Sequence, residues 1–200
     1  MTKFKFDQKE YFSKDISQIK FQGQEIGTTD FEECVFNDCD FSEAMFDKCK
    51  FIDCQFFKCN LSIVKLNGSR FNNVVFKDCK AIGIDWTKAA WPSIALSSPI
   101  TFLKCNISDS TFFGLSIREL VIEECKAHDV DFREGDFCKA NFTFTDFTNS
   151  LFSVSNLTGA DFTEAANYRI DINNNKISRA KFSRQEAVSL LDGLDIELID

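Results

Sequence analysis

Large apolar side chains recur at every fifth position along almost the whole chain, and this period restricts the possible folds more than any other feature. From Phe6 to Leu96, all nineteen positions in this register are apolar or aromatic. The register then shifts by one residue, and sixteen of the seventeen positions from Phe102 to Phe182 are again apolar or aromatic, with Asn167 as the exception. Nineteen of the 24 phenylalanines occupy these positions. A period of five matches neither the 3.6 of a helix nor the 2.0 of a strand.

Such a period is expected of a chain that turns a corner every five residues and points one large side chain inward on each side. Four sides make a coil of about 20 residues, and coils stack at the ~4.8 Å spacing of neighbouring strands, which pairs their backbone groups. The sequence therefore predicts an all-β fold, a right-handed quadrilateral β-helix, over residues 1–182, with a register slip at 97–101. Nearly nine coils give a rod of roughly 40 Å.

The register slip coincides with a segment that carries Pro92, Ser97, Ser98 and Pro99. Proline removes a backbone donor, so this segment predicts a bulge or short loop. It is either a tolerated insertion or a loop on the shaft that contacts a partner.

A second inward position lies two residues before each central one and should hold a small side chain. Eight of the nine cysteines fall there, whereas Cys138 follows a central phenylalanine and should point outward. Cysteines five apart lie on different walls, and cysteines twenty apart stack with parallel side chains, which suits neither a tetrahedral metal site nor a disulfide. We therefore expect free thiols that fill space, with no metal and no cofactor.

The motif Ala-Asn/Asp-Phe, seen at Ala140-Asn141-Phe142 and Ala160-Asp161-Phe162, resembles the signature of the pentapeptide-repeat family. The resemblance covers roughly residues 6 to 182. It implies the same β-helical fold and says little about function, because such repeats serve many unrelated roles.

Residues 183–200 depart from the repeat and predict a C-terminal helix and tail that cap the rod. Ser183 to Glu186 has the pattern of a capping box, and Gly193 could end the helix in a left-handed conformation. The last seven residues alternate apolar with acidic, as a half-buried strand does. The apolar residues exceed what one coil end can cover, which predicts a tail-to-tail homodimer; a monomer with a folded-back tail is the alternative. The predicted dimer interface is Leu190, Leu191, Leu194, Ile196 and Leu198.

Signals for catalysis or membrane insertion are absent from the sequence. The single histidine, His128, follows a central position and should face solvent, and no glycine-rich phosphate loop occurs. A filled convex prism offers no cleft in which carboxylates could act as acid and base, so we do not expect an enzyme. No apolar segment approaches the ~18 residues of a spanning helix, and the N-terminus has no signal-peptide pattern, which favours a cytoplasmic protein.

The charge is uneven and points to a protein partner. The net charge is −8, and residues 117–172 contain eleven acidic and five basic side chains. Stacked on a 20-residue coil, these acids should form rows, which would repel nucleic acid and anionic membranes and attract a basic surface. The alternative is ordinary solubilising charge. The predicted partner-binding residues are Asp109, Glu123, Glu124, Asp129, Asp131, Glu134, Asp136, Asp146 and Glu164.

Three segments, 81–87, 167–172 and 182–198, resemble the topoisomerase-protecting branch of the family, which comprises the Qnr-type quinolone-resistance proteins and, more similar here, the albicidin-resistance type. That resemblance implies a dimeric DNA mimic that binds DNA gyrase, with topoisomerase IV as a second target, and relieves poisoning by a drug or toxin. Several Qnr-type proteins carry long loops on the shaft, whereas this sequence has room only for the short segment 92–99. The alternative is a non-catalytic scaffold for another partner.

Overall fold

The computed structural model describes residues 5–92, 98–194, 196, 197 and 199. The chain winds into a right-handed, four-sided β-helix of about eight turns, which confirms the predicted fold class. Consecutive coils pair in parallel at an offset of twenty residues, as in Tyr11 with Phe31 and Phe31 with Phe51. Among the described residues, no helix is long and apolar enough to cross a membrane.

The four faces are numbered in the order in which the chain reaches them: face 1 begins at Tyr11, face 2 at Ile16, face 3 at Phe21 and face 4 at Ile26. In the regular coils, every twentieth residue returns to the same face. The corner between two faces is called an edge, so edge 3/4 joins faces 3 and 4. Edge residues take left-handed backbone conformations, for example Glu33 at φ +53°.

The strands are short and lie on three of the faces, within the described parts of the chain. Face 1 carries β1 (Glu10–Phe12), β4 (Asp30–Glu32), β7 (Lys50–Ile52) and β9 (Arg70–Asn72). Face 2 carries β2 (Asp15–Ser17), β5 (Val35–Asn37), β8 (Gln55–Phe57), β10 (Val74–Lys77), β11 (Ile100–Leu103), β12 (Val121–Glu123), β14 (Asp161–Phe162) and β16 (Lys181–Phe182). Face 4 carries β3 (Glu25–Gly27), β6 (Met45–Asp47), β13 (Leu151–Phe152) and β15 (Arg169–Ile170). Face 3 is held by single parallel bridges from Lys20 to Ala166, and two 3₁₀ helices span Trp86–Lys88 and Glu186–Leu191.

The interior is filled by the repeating large side chains. Rings on one face stack from coil to coil: the centroids of Phe31 and Phe51 are 5.1 Å apart with planes 7° from parallel. Rings on neighbouring faces meet edge to face, as Phe31 and Phe36 do at 5.4 Å and 70°. These are the two arrangements that the ring quadrupole favours, so the core gains from both directions of packing.

One irregularity is an insertion of six residues between β10 and β11. Val74 pairs with Ile100 at an offset of 26 instead of 20, and its N–H bonds the carbonyl of Pro99 at 3.0 Å. The insertion falls between the part of the chain on face 1 and the part on face 2. Trp91 stacks over Phe71 before the insertion, with ring centroids 6.1 Å apart. Residues 93–97, which include Ser97 of the predicted slip, lie outside the described residues.

A second irregularity corrects the predicted register near Asn167. Asn167 takes a left-handed corner at φ +58°, so Tyr168 turns inward instead and is only 1% exposed. Leu151 then pairs with Arg169 at an offset of 18, and Ile170 fills the core in place of the predicted Ile172, which is half-exposed. A turn that follows Asp171 restores the offset of 20.

The C-terminal segment differs from prediction in its local structure. The helix Glu186–Leu191 is 3₁₀, begins after Gln185, and has no side-chain cap. The predicted capping box is therefore wrong: the Ser183 Oγ accepts the N–H of Glu164 at 2.8 Å, and the Glu186 carboxylate accepts the N–H of Asn167 at 3.1 Å. Both side chains cap the last coil instead of their own helix.

The prediction for Gly193, beyond that helix, is also wrong. Gly193 does not take a left-handed conformation; a Cβ there would lie 2.9 Å from the Asp171 carboxylate, so close approach explains the glycine. No strand forms at residues 194, 196, 197 and 199, which are the described part of the alternating tail.

Cys138 was predicted to point outward, and it is covered from outside by another side chain. It stays outside the hydrophobic core, yet it is only 6% exposed, because the Arg118 guanidinium covers it and donates to its sulfur at 3.1 Å. The other eight cysteines are buried at the small inner positions.

Candidate acidic docking face

Five of the nine predicted partner-binding carboxylates come together on face 3 and its two edges. Asp109 and Asp129 lie in consecutive coils on edge 3/4, and Asp146 lies on face 3 between the edges. Glu124 and Glu164 lie on edge 2/3. These five residues are called the acidic strip. Lys104 and Lys126 share the surface, so negative charge predominates without being uniform.

The carboxylates of the acidic strip differ in how free they are to meet a partner. Asp109 and Asp129 are exposed and form no ion pair within 4 Å in the described structure. Glu124 pairs with Lys104 at 3.3 Å, and Glu164 accepts a hydrogen bond from the Ser183 hydroxyl at 3.1 Å. The least restrained negative charge of the strip is therefore on edge 3/4.

Asp146 is the most firmly held carboxylate of the strip. His128, predicted as an ordinary surface residue, lies with its Nε2 only 2.7 Å from Asp146 Oδ2 and is largely covered. Burial acts to raise the pKa of Asp146, but hydrogen bonds from Asn167, Thr148 and His128 outweigh it and hold that pKa well below its usual range. The charge of Asp146 is thus fixed in place at neutral pH.

The other four predicted carboxylates lie on different surfaces. Glu123 is on face 2, Asp131 on face 4, Glu134 on edge 4/1 and Asp136 on face 1. Arg133 binds Asp131 through two hydrogen bonds and lowers its pKa, and Arg118 approaches Asp136 to 3.6 Å. A single flat partner cannot contact all nine residues at once.

The predicted rows of carboxylates are shorter than expected. Asp109 and Asp129 stack as predicted, one coil apart. Phe144 separates Glu124 from Glu164 on edge 2/3. Asp131 does not stack under Asp171, because the 18-residue offset places Leu151 and then Arg169 in that column.

Sequence reasoning missed a set of exposed apolar side chains in the same half of the rod. Phe113 is 41% exposed, Phe144 57%, Leu151 48% and Val154 63%. A signal was present: Phe113 and Phe144 are among the five phenylalanines that fall outside the period-five positions. In a coil of regular length, a ring outside that register does not point into the core.

The predicted dimer residues lie at the C-terminal end and are incompletely covered in the single chain. Leu190 packs partly against the core, and Leu191 is half-buried. Leu194 is 36% and Ile196 54% exposed. Leu198 lies outside the described residues.

The cysteines are free and buried in the described structure. No cluster of histidine, cysteine or acidic side chains there could hold a metal ion. Burial raises the pKa of Cys49 to about 11 and that of Cys54 to about 12, so both thiols are protonated at neutral pH and act as weak donors to backbone carbonyls.

Comparison with known proteins agrees with this architecture. Solved structures of QnrB1, described as a plasmid-mediated fluoroquinolone resistance protein, are similar to it. Two trypsin-treated forms match with TM-scores of 0.66 and 0.64 at 20% identity; the first match covers 100% of this chain and 96% of that chain, and the second 93% and 100%. The full-length form matches with a TM-score of 0.56 at 20% identity, over 92% of this chain and 100% of that one. At this identity the likeness shows the fold alone.

Sequence comparison supplies the family. Among curated protein sequences, none matches the chain significantly. The family pattern described as "Pentapeptide repeat region" matches residues 29–98 and 88–162, which together span more than half of the chain. The protein therefore belongs to the pentapeptide-repeat family.

Proposed function

We propose that this protein is a non-catalytic, cytoplasmic DNA mimic that binds DNA gyrase as a homodimer and protects it from a poison such as albicidin or a quinolone. The observation that carries the proposal is the acidic strip on a rigid rod. Topoisomerase IV is the second target under the same proposal.

A rod of this kind can replace duplex DNA on a basic surface because its charges are held at fixed spacing. Carboxylates one coil apart, such as Asp109 and Asp129, are separated by about 4.8 Å along the axis, whereas each DNA strand carries one phosphate per about 3.4 Å. A basic groove that releases counterions on binding DNA would gain from the same exchange with the strip. The fluoroquinolone-resistance role of QnrB1, which shares the fold, supports a protective function.

The direct test is a gyrase supercoiling and cleavage assay with purified protein. We expect added protein to reduce poison-stabilised cleavage in the presence of albicidin or a quinolone, and to compete with DNA at higher concentration. Unchanged cleavage and supercoiling at micromolar dimer, with both poisons, would exclude gyrase as the target.

A pair of matched variants tests whether the acidic strip makes the contact. Asp109→Lys with Asp129→Lys reverses two carboxylates on edge 3/4, and Glu33→Lys with Asp53→Lys reverses two on the opposite edge 1/2. Each pair is one coil apart at left-handed corners, where the chain already tolerates lysine at Lys48. We expect the first pair to abolish most of the gyrase effect and the second to retain it. Equal effects of the two pairs would mean that net charge, not this strip, is recognised.

The second candidate function is a scaffold for another protein, with the acidic strip serving solubility. The exposed apolar residues of the same half favour a protein partner in that case as well. The gyrase assay alone distinguishes this scaffold function from gyrase protection.

A further inference from the structure

We infer that face 4 provides a second contact surface for the same partner. This surface binds a segment of the partner that is acidic and apolar, whereas the acidic strip binds a basic one. The surface consists of Phe113, Arg133, Leu151, Val154 and Arg169 and is called the arginine–leucine surface. This inference rests on the proposed function.

The centre of the arginine–leucine surface is Leu151 on β13. Leu151 pairs with Asp131 on one side and Arg169 on the other in the column of face 4. The two guanidinium groups, of Arg133 and Arg169, line one open groove together with Leu151 and Ser153. An apolar side chain and two arginines therefore share one groove of a rod whose net charge is negative.

The two arginines are held differently. Arg133 donates from Nε and a terminal nitrogen to the Asp131 carboxylate at 2.9 and 2.7 Å, and its guanidinium lies 5.6 Å from the centroid of the Phe113 ring. These contacts hold the planar guanidinium of Arg133 in place, and the Asp131 carboxylate partly neutralises its charge. Arg169 is exposed and has no carboxylate within 4 Å in the described structure. Arg169 is therefore the available cation.

Folding does not explain the apolar members of the surface. At the equivalent position of other coils, Asp131, Asn141 and Asp161 accept the N–H two residues on with their side chains and stabilise the turn, although apolar Val121 also occurs there. Leucine cannot make that bond. Val154 is a β-branched residue at φ +59° and 63% exposed, so it is unfavourable both for its backbone and for its solvation. Contact with a partner would recover apolar burial at both positions.

Charge complementarity selects the occupant. Asp129, Glu134 and Asp171 surround the surface, so a polyanion such as nucleic acid would be repelled. A protein segment that offers one carboxylate to Arg169 and an apolar side chain to Leu151 fits. Only Asn149 and Ser150 separate Leu151 from face 3, and Asp129 lies on the edge that the two faces share, so one partner can cover both surfaces.

Removing the charge of Arg169 and measuring whether gyrase binding tightens or weakens tests the inference. If the rod binds gyrase only as an acidic mimic, Arg169→Gln makes it more negative and binding stays equal or tightens. If Arg169 meets a partner carboxylate, binding weakens, and we expect a loss of about five- to tenfold. Arg179→Gln, which removes an exposed arginine from edge 1/2, is the matched control and should not weaken binding.

A second pair of variants tests the apolar part. Leu151→Ser should weaken gyrase binding about tenfold, while Phe12→Ser, which removes a 58% exposed ring from face 1, should not. Affinity is measured by calorimetry, and circular dichroism shows that each variant is folded. Absence of wild-type binding would overturn the proposed function and this inference with it. Wild-type affinity in both Arg169→Gln and Leu151→Ser would overturn only the arginine–leucine surface.

Discussion

The sulfur of Cys79 accepts a hydrogen bond from the backbone N–H of Cys59 in the neighbouring coil, with nitrogen and sulfur 3.3 Å apart. The Cys79 thiol in turn donates to the carbonyl of Phe56 at 3.3 Å. Ser69 makes the same two kinds of bond at an equivalent position, through its hydroxyl. The small inner residues therefore do more than fill space, because they join the backbones of successive coils.

This relationship predicts the order of two substitutions. Cys79→Ala leaves a void and a buried N–H without its acceptor, which should lower the free energy of unfolding by about 1–3 kcal/mol. Cys79→Ser keeps both hydrogen bonds and should cost less. Urea unfolding of the two variants measures the difference, and a serine variant less stable than the alanine variant would show that the bonds contribute little.

Two glycines predict opposite responses to alanine. A Cβ at Gly135 would overlap the Phe137 ring, so Gly135→Ala must displace a buried side chain and should destabilise the protein by about 1–3 kcal/mol. At Gly27 a Cβ meets nothing closer than the Glu25 carboxylate at 3.8 Å, so Gly27→Ala should be neutral or stabilise by up to about 1 kcal/mol. Thermal unfolding compares the two. Equal melting temperatures would contradict the tight packing around Gly135.

The lowered pKa of Asp146 predicts how its contribution to stability depends on pH. A carboxyl group with a lower pKa in the folded than in the unfolded state stabilises the fold above its unfolded value, near 3.9, and that contribution is lost as the pH falls through the folded pKa. Asp146→Asn should therefore be less stable than wild type at pH 7, and the difference should shrink below about pH 4. Urea unfolding at pH 7, 5 and 3 checks this. A difference that stays constant to pH 3 would mean that the negative charge of Asp146 is not what stabilises.

The predicted homodimer is tested at Leu194, the most exposed of its leucines that the structure describes. Leu194 is 36% exposed on the tail, so Leu194→Glu should disturb the single chain little and shift sedimentation from dimer to monomer. Val188→Glu, at a 49% exposed residue outside the predicted interface, is the control. A dimer that survives Leu194→Glu would place the interface elsewhere.

The repeat allowed most of the rod to be predicted because each coil meets only its neighbours, so a local period specifies the global shape. The compensated coil near Tyr168, in which one side is two residues shorter and the next side two residues longer, could not be predicted in this way. In the period-five register the only sign of this change is that Asn167 occupies an apolar position. The acidic strip was predicted in part, since stacking places Asp109 beside Asp129. The separation of Asp131 from Asp171 depends on that compensated coil, and the arginine–leucine surface formed by the same change was missed.

A rod of similar coils has no built-in length, since every coil leaves N–H and carbonyl groups ready for another. Ser183 and Glu186 supply side-chain oxygens to Glu164 and Asn167, where a further coil would have supplied carbonyls. Those two side-chain oxygens therefore replace the next coil as hydrogen-bond acceptors. They occupy two backbone donors that an edge strand of another protein would otherwise pair with at this end of the shaft.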